Sequence, residues 1–171
     1  MRKFILVFIL SLNLFGANEL KFKSLIGEFT QTITSQDQKI IYTGSLAIDS
    51  DFGAFWQYNT PMQKLIYFNN NRVIIIEPEL EQAIITNLKS SPDITKILKN
   101  AKKLSDDNFQ AVYEDVVYDI ITQNSLPKLI AYEDKLGNKA IIEFTQISKD
   151  KIISKDILTP QIPSNYDIIS N

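Results

Sequence analysis

Few residues in this sequence are of the kinds that catalyse reactions or bind metal ions. It contains no His and no Cys, which excludes His-based triads, cysteine nucleophiles and thiolate or imidazole metal sites. It also lacks the G-x-S-x-G pattern of many hydrolases. Glu77, Glu79 and Glu81 surround Pro78 with no other ligand types nearby, so we interpret them as a solvated turn. We therefore predict no enzymatic activity, no cofactor and no metal ion.

The chemistry that the sequence does suggest is the burial of hydrocarbon. The segments "LIYF" (Leu65–Phe68) and "VIII" (Val73–Ile76) are apolar at every position, whereas a half-solvated strand alternates apolar and polar residues. In "AFWQY", Ala54, Trp56 and Tyr58 share one strand face. Two interpretations remain open: a cavity that holds an apolar ligand, or a solid core without a cavity.

Length and charge restrict the class of protein. The 171 residues suggest one domain, and 44% hydrophobic residues are enough for a sizeable core. The 18 Lys and Arg residues nearly balance the 20 Asp and Glu residues, for a net charge of -2. Nothing in this balance suggests the basic face that nucleic-acid binding needs. We therefore expect no nucleic-acid partner.

The N-terminus has the three-part pattern of a secretory signal. Arg2 and Lys3 precede an apolar run from Phe4 to Phe15, and Gly16 and Ala17 follow. The run is shorter than the ~20 residues of a membrane-spanning helix. We predict a signal peptide over residues 1–17, cleaved after Ala17, and a single exported domain over residues 18–171.

The strands that would position the apolar residues follow one another closely. Turn signals recur every ~8–12 residues, which is typical of an antiparallel meander, and a sheet of this length must twist and curl. Residues 18–25 fit either a short helix or an extended lead into the first strand. Predicted strands cover residues 28–34, 40–48, 54–58, 63–68, 72–77, 82–88, 109–113, 116–122, 128–134, 139–148 and a short piece near 156–160.

One segment has helical rather than strand periodicity. In "SSPDITKILKNAKKLSDD" the apolar residues recur at i, i+3, i+4, i+7 and i+10, and lysines occupy the other side. Ser91 can cap this helix, with Pro92 at its first position. The apolar stripe is Ile94, Ile97, Leu98, Ala101 and Leu104. Such a helix can lie over the concave side of a curled sheet as a lid.

Several motifs, in order, resemble the outer-membrane lipoprotein carrier family, LolA. They include Phe29-Thr30-Gln31 in the first strand, the glycine-led strand at Gly44, and Trp56 with Pro61 after it. The turn at Pro78, Gln82 and the C-terminal "ILTPQIPSNYDII" continue the same order. The similarity spans residues 25–169, and it is the ordered set rather than any single motif that makes it specific.

The resemblance implies a fold and a function. The fold would be mainly β with helices (α+β): an incomplete antiparallel β-barrel, or strongly curled sheet, with a helical lid over a hydrophobic cavity. The protein would be a monomeric periplasmic chaperone that shields lipoprotein acyl chains. It would receive acylated lipoproteins from an inner-membrane ABC transporter and deliver them to a receptor or to the outer membrane itself. The alternative is a half-barrel envelope module for another lipid or a glycolipid, in transport or sensing.

The candidate binding residues combine the strand faces, the helix stripe and the resemblance. Those predicted to contact acyl chains are Leu25, Ile33, Leu46, Ile48, Trp56, Tyr58, Ile66, Phe68, Ile94, Ile97, Leu98 and Ala101. One position departs from the family pattern: Ser50 stands where members carry an arginine that latches the lid. We therefore expect a lid that is held chiefly by apolar contacts and opens readily.

Overall fold

Strands and short turns make up most of the chain, as the turn spacing predicts. The computed structural model describes residues 20, 22–36, 38–69, 72–87 and 94–170; the predicted signal peptide lies outside these residues. A 3-10 helix (Pro78–Leu80) follows the fifth strand, and an α-helix, α1 (Ile94–Lys99), follows the sixth. The strands are β1 (Ser24–Ser35), β2 (Gln38–Asp49), β3 (Gly53–Thr60), β4 (Lys64–Asn69), β5 (Arg72–Glu77), β6 (Gln82–Asn87), β7 (Lys102–Ser105), β8 (Asn108–Tyr113), β9 (Val116–Gln123), β10 (Leu126–Glu133), β11 (Lys139–Lys149) and β12 (Asp167–Ser170).

All of these strands belong to one sheet. Its order is β12-β6-β5-β4-β3-β2-β1-β11-β10-β9-β8-β7, so β12 and β7 form open edges. Neighbouring strands are antiparallel except β12, which pairs parallel to β6. The Trp56 ring on β3 lies 6.3 Å from the Phe144 ring on β11, although two strands separate them and three strand spacings of a flat sheet span ~14 Å. The sheet is therefore an incomplete, strongly curled barrel, as predicted.

Close packing in the middle of the sheet requires the glycine at residue 44. Gly44 lies between Phe29 of β1 and Tyr58 of β3 in the strand register. A Cβ atom at residue 44 would lie 2.0 Å from the Gln57 carbonyl oxygen and 2.7 Å from the Phe29 ring. Only a residue without a side chain fits there, which lets the Phe29 ring lie across β2 and pack 4.8 Å from Trp56.

The helix is shorter than the sequence predicts. It ends at Lys99, and Leu104, assigned above to its apolar stripe, lies in strand β7 and is 63% exposed. In β7, Lys102 and Lys103 pair with Gln110 and Phe109 of β8. Without β7, the edge of β8 would be open, so strand pairing with β8 replaces the helical hydrogen bonds that these residues would otherwise form. Helix propensity is a weak preference that such tertiary pairing overrides. The predicted N-cap at Ser91 lies outside the described residues.

The two faces of the sheet are covered differently. Its inner face packs against α1 and forms the main hydrophobic core. On its outer face, Tyr67, Ile76 and Ala83 form a second cluster with Ile162 and Tyr166 of the C-terminal segment. This answers why β4 and β5 are apolar on both sides: the chain's own C-terminal segment covers the outer side, so only the inner side can serve a ligand.

The C-terminal segment differs in detail from its prediction. The short strand predicted near residues 156–160 is a series of turns, and the last strand is β12. Leu158 is buried in this segment, and its carbonyl oxygen accepts a hydrogen bond from the Asn69 amide. The segment is therefore held to the sheet by side-chain contacts until β12 begins. No helix in the described part of the chain is both long and apolar enough to cross a bilayer.

Candidate functional site: an apolar cavity beside the helix

A cavity of about 160 Å³ lies on the inner face of the sheet, next to the first residue of α1. Strands from both halves of the sheet contribute to its wall, and α1 contributes Ile94. The lining residues are Gln31, Trp56, Tyr58, Ile66, Phe68, Val73, Ile75, Ile94, Tyr132 and Ile142. None of them is charged, and most are apolar. The cavity therefore favours uncharged, largely hydrocarbon groups.

Strand register explains the apolar half of the wall. Trp56 pairs with Ile66, and Ile66 pairs with Ile75. One step along the same face, Phe68 pairs with Val73. Because directly paired residues point to the same side of a sheet, these side chains form one continuous apolar surface over β3, β4 and β5. Trp56 is only 3% exposed and is the single tryptophan of the chain.

The other half of the wall carries the polar groups. The Tyr58 hydroxyl donates a hydrogen bond to Gln31 Oε1 at 2.8 Å, and Gln31 is 7% exposed. Burial raises the Tyr58 pKa, and the neighbouring Tyr132 and Tyr42 raise it further. Burial also raises the Tyr132 pKa, and Asp134 adds to this, while a hydrogen bond with Gln31 opposes it. Both tyrosines therefore stay protonated and uncharged at neutral pH.

The predicted acyl-contact residues fall into distinct groups in the structure. The cavity wall includes Trp56, Tyr58, Ile66, Phe68 and Ile94. Others pack in the main core around the cavity: Leu25, Leu46, Ile48, Ile97, Leu98 and Ala101. Ile33 is half-buried on β1 and belongs to neither the wall nor the main core.

Sequence analysis missed Gln31, Val73, Ile75, Tyr132 and Ile142 as wall residues. Val73 and Ile75 could have been found by pairing β4 with β5 across their short turn, because Phe68 and Ile66 are their register partners. Gln31 lies two residues after Phe29 on β1, so the two side chains point to the same face of the sheet. No local sequence pattern identifies Tyr132 and Ile142 as cavity residues, because they reach the cavity only through the long-range pairing of β1, β11 and β10.

Ser50, the departure from the family pattern, lies in the turn after β2 and contacts the helix. Lys99 Nζ, in the last turn of α1, donates a hydrogen bond to the Ser50 carbonyl oxygen at 2.9 Å. The Ser50 backbone N–H is itself bonded to the Lys23 carbonyl oxygen at 2.8 Å. A polar contact between helix and turn therefore exists. It adds to the apolar contacts that the sequence predicts will chiefly hold the helix.

Comparison with known proteins identifies a family. The sequence profile described as "Outer membrane lipoprotein carrier protein LolA" matches residues 20–125. The chain is 33% identical to the outer-membrane lipoprotein carrier protein of Campylobacter jejuni, over 99% of each chain. It is also 33% identical to the protein of that name from Wolinella succinogenes, over 91% of this chain and 94% of the relative.

Solved structures show the same fold. A LolA superfamily protein from Nitrosomonas europaea superposes with a TM-score of 0.51 at 10% identity, over 84% of this chain and 93% of the other. At that identity the likeness concerns the architecture of the curled sheet alone.

Proposed function

Since the chain belongs to the outer membrane lipoprotein carrier family LolA, we propose that it is a periplasmic carrier that shields the acyl chains of lipoproteins. The cargo enters the cavity beside α1, and the carrier releases it at the outer membrane. No step of this task needs catalysis, a cofactor or a metal ion. Among the described residues, no cluster of acidic side chains could hold a metal ion.

The observation that carries this proposal is the uncharged, mainly apolar cavity on the inner face of the sheet. Each methylene removed from water contributes about 0.8 kcal/mol, so one long acyl chain left in water costs about 10 kcal/mol. A carrier must offset most of that cost and still release the cargo. A surface built from β3, β4 and β5 that includes Trp56 supplies apolar contact and carries no charged group.

The cavity in this structure suits a carrier without cargo. An apolar cavity of about 150 Å³ in another protein holds one benzene molecule, so 160 Å³ is too small for a lipoprotein acyl chain. The cavity must widen when cargo enters. We propose that α1 moves as the lid, because it is a single short helix and contributes Ile94 to the cavity wall.

The proposed route begins and ends at membranes. Residues 1–17 direct export and are removed, and the mature domain receives acylated lipoproteins from an inner-membrane ABC transporter. It delivers them, as a monomer, to an outer-membrane receptor or to the outer membrane. The names of the Campylobacter and Wolinella relatives support the lipoprotein cargo.

A direct test compares an acylated lipoprotein with the same protein lacking its acyl chains. The mature domain is mixed with each, and complexes are separated by gel filtration while Trp56 fluorescence is recorded. Only the acylated form should yield a complex, with a shifted emission maximum because acyl chains contact the single tryptophan of the cavity wall. Equal binding of both forms, or of neither, would contradict the proposal.

A further inference from the structure

A polar group inside an otherwise apolar cavity calls for an explanation. Gln31 is nine-tenths buried, and burying an amide is unfavourable unless it forms hydrogen bonds. It accepts a hydrogen bond from the Tyr58 hydroxyl at 2.8 Å, and Tyr132 lies near it in the same cavity wall. All three side chains line the cavity.

The two tyrosines flank Gln31 in the order of the sheet. Tyr58 on β3 and Tyr132 on β10 each lie two strands away from Gln31 on β1, on opposite sides. Because the sheet is strongly curled, side chains from these separate strands line the same cavity.

Gln31 keeps hydrogen-bond donors that face the cavity. A glutamine amide has two N–H donors and a tyrosine has one O–H. Tyr58 uses its hydrogen on Gln31 Oε1, which orients the amide and leaves its nitrogen for other acceptors. Tyr132 lines the same cavity. The wall therefore offers an O–H donor from Tyr132 and N–H donors from Gln31, with no charged residue among the lining residues.

Donors without a positive charge match a neutral acceptor, and the neutral acceptor on an acyl chain is its carbonyl oxygen. We propose that Gln31 and Tyr132 form a carbonyl-binding subsite, so that the cavity holds acyl chains by their ester or amide carbonyl as well as by their hydrocarbon. Tyr58 is a positioning residue that orients the Gln31 amide. This inference rests on the proposed function and adds selectivity for acyl over alkyl lipids.

The test uses two probes that differ in one carbonyl group: 1-monolauroylglycerol, an ester, and 1-O-dodecylglycerol, the matching ether. Each displaces a pre-bound brominated fatty acid, and the recovery of Trp56 fluorescence measures its affinity. The wild-type domain should bind the ester about fivefold to thirtyfold more tightly than the ether, as expected for one or two added hydrogen bonds. Monolauroyl amides of aminopropanediol extend the test from ester to amide carbonyls.

Two variants assign that preference to the subsite. Gln31→Leu and Tyr132→Phe should each reduce the ratio of ester affinity to ether affinity toward one. Tyr42→Phe is the matched control, since Tyr42 contacts the Tyr58 ring at 5.7 Å but does not line the cavity; it should keep the preference. Circular dichroism verifies that each variant is folded, and Tyr132→Phe keeps the ring that packs 4.8 Å from Tyr118.

The possible outcomes separate this inference from the proposed function. Equal wild-type affinity for ester and ether would overturn the carbonyl subsite while the apolar carrier stands. A preference that persists in both variants would overturn the assignment to Gln31 and Tyr132. Failure of the wild-type domain to bind any of these lipids, the brominated fatty acid included, would overturn the carrier function itself.

Discussion

Lys99 Nζ on the helix donates a hydrogen bond to the backbone carbonyl oxygen of Ser50 in the turn after β2, at 2.9 Å. The donor belongs to the helix, and the turn supplies only a backbone acceptor. The Ser50 side chain therefore plays no part in this contact.

We predict that Lys99→Met loosens α1. Loss of one solvent-exposed hydrogen bond should cost up to about 1 kcal/mol. Amide hydrogens of residues 94–99 should therefore exchange up to about fivefold faster, measured by hydrogen exchange and mass spectrometry. Lys99→Arg should restore slow exchange, because it restores a donor.

Two controls accompany that prediction. Ser50→Ala should leave exchange in α1 unchanged, because the acceptor is a backbone oxygen. Lys102→Met removes the same charge from the exposed edge strand β7 and should also leave α1 unaffected. If Lys99→Met exchanges like the wild type, the hydrogen bond does not hold the helix.

The C-terminal boundary of α1 can be tested at two residues of the apolar helix stripe that the sequence predicts. Ile97 is 1% exposed in the main core, whereas Leu104 is 63% exposed in β7. Ile97→Ala should lower the free energy of unfolding by about 2–4 kcal/mol, and Leu104→Ala should change it by less than about 0.5 kcal/mol. Urea denaturation measures both values. Equal losses would indicate a helix that continues through Leu104.

Filling the cavity should block binding without unfolding the protein. Ile75 lines the wall beside Ile66, and a larger ring there would occupy space that cargo needs. Ile75→Phe should reduce fatty-acid affinity about tenfold, with a stability change near 1 kcal/mol. Ile41→Phe, at a position that is 49% exposed on β2, makes the same change of side chain outside the cavity. Unaltered affinity in Ile75→Phe would mean that ligands bind elsewhere.

The ionisation of Glu77 should make the stability of the sheet depend on pH. It is buried, bonded to Lys64 Nζ at 2.9 Å and to the Gln82 amide at 2.5 Å, which corrects our interpretation of a fully solvated turn. The Lys64 bond, followed by the Gln82 bond, lowers the Glu77 pKa below its ordinary value of 4.5. A carboxylate with a lowered pKa stabilises the fold above the ordinary pKa, and that contribution is lost as pH falls through the lowered value.

Glu77→Gln should therefore be less stable than the wild type at pH 7, and the difference should shrink as the pH falls below 4.5. Melting temperatures from pH 7 to pH 3 would show the two curves converging. Glu79→Gln, at an exposed position of the same turn, should run parallel to the wild type. Parallel curves for Glu77→Gln would show that ionisation of Glu77 adds no pH-dependent stability.

Local sequence patterns were sufficient to predict most of the strands and one face of the cavity. Trp56 and Tyr58 share a face because strand side chains alternate, and the structure places both in the cavity wall. The curl of the sheet followed from its length. The family resemblance added the expectation of a cavity, which pattern alone left open.

Features that depend on distant pairing could not be predicted. Leu104 has helical spacing, yet it lies in a strand because β8 offers an open edge. Tyr132 reaches the cavity only because β11 inserts between β1 and β10. The covering of β4 and β5 by Ile162 and Tyr166 likewise joins parts of the chain that no local periodicity connects.

The central position of β1 has a consequence for the order in which the sheet assembles. β1 pairs with β2, its neighbour in sequence, but on its other side with β11, where Phe29 lies opposite Phe144. The first strand therefore keeps an open edge until residues 139–149 are available. Pairing across such sequence distance is slow relative to hairpin formation. The two halves of the sheet can therefore form as separate meanders, and the core is completed only when β11 joins β1.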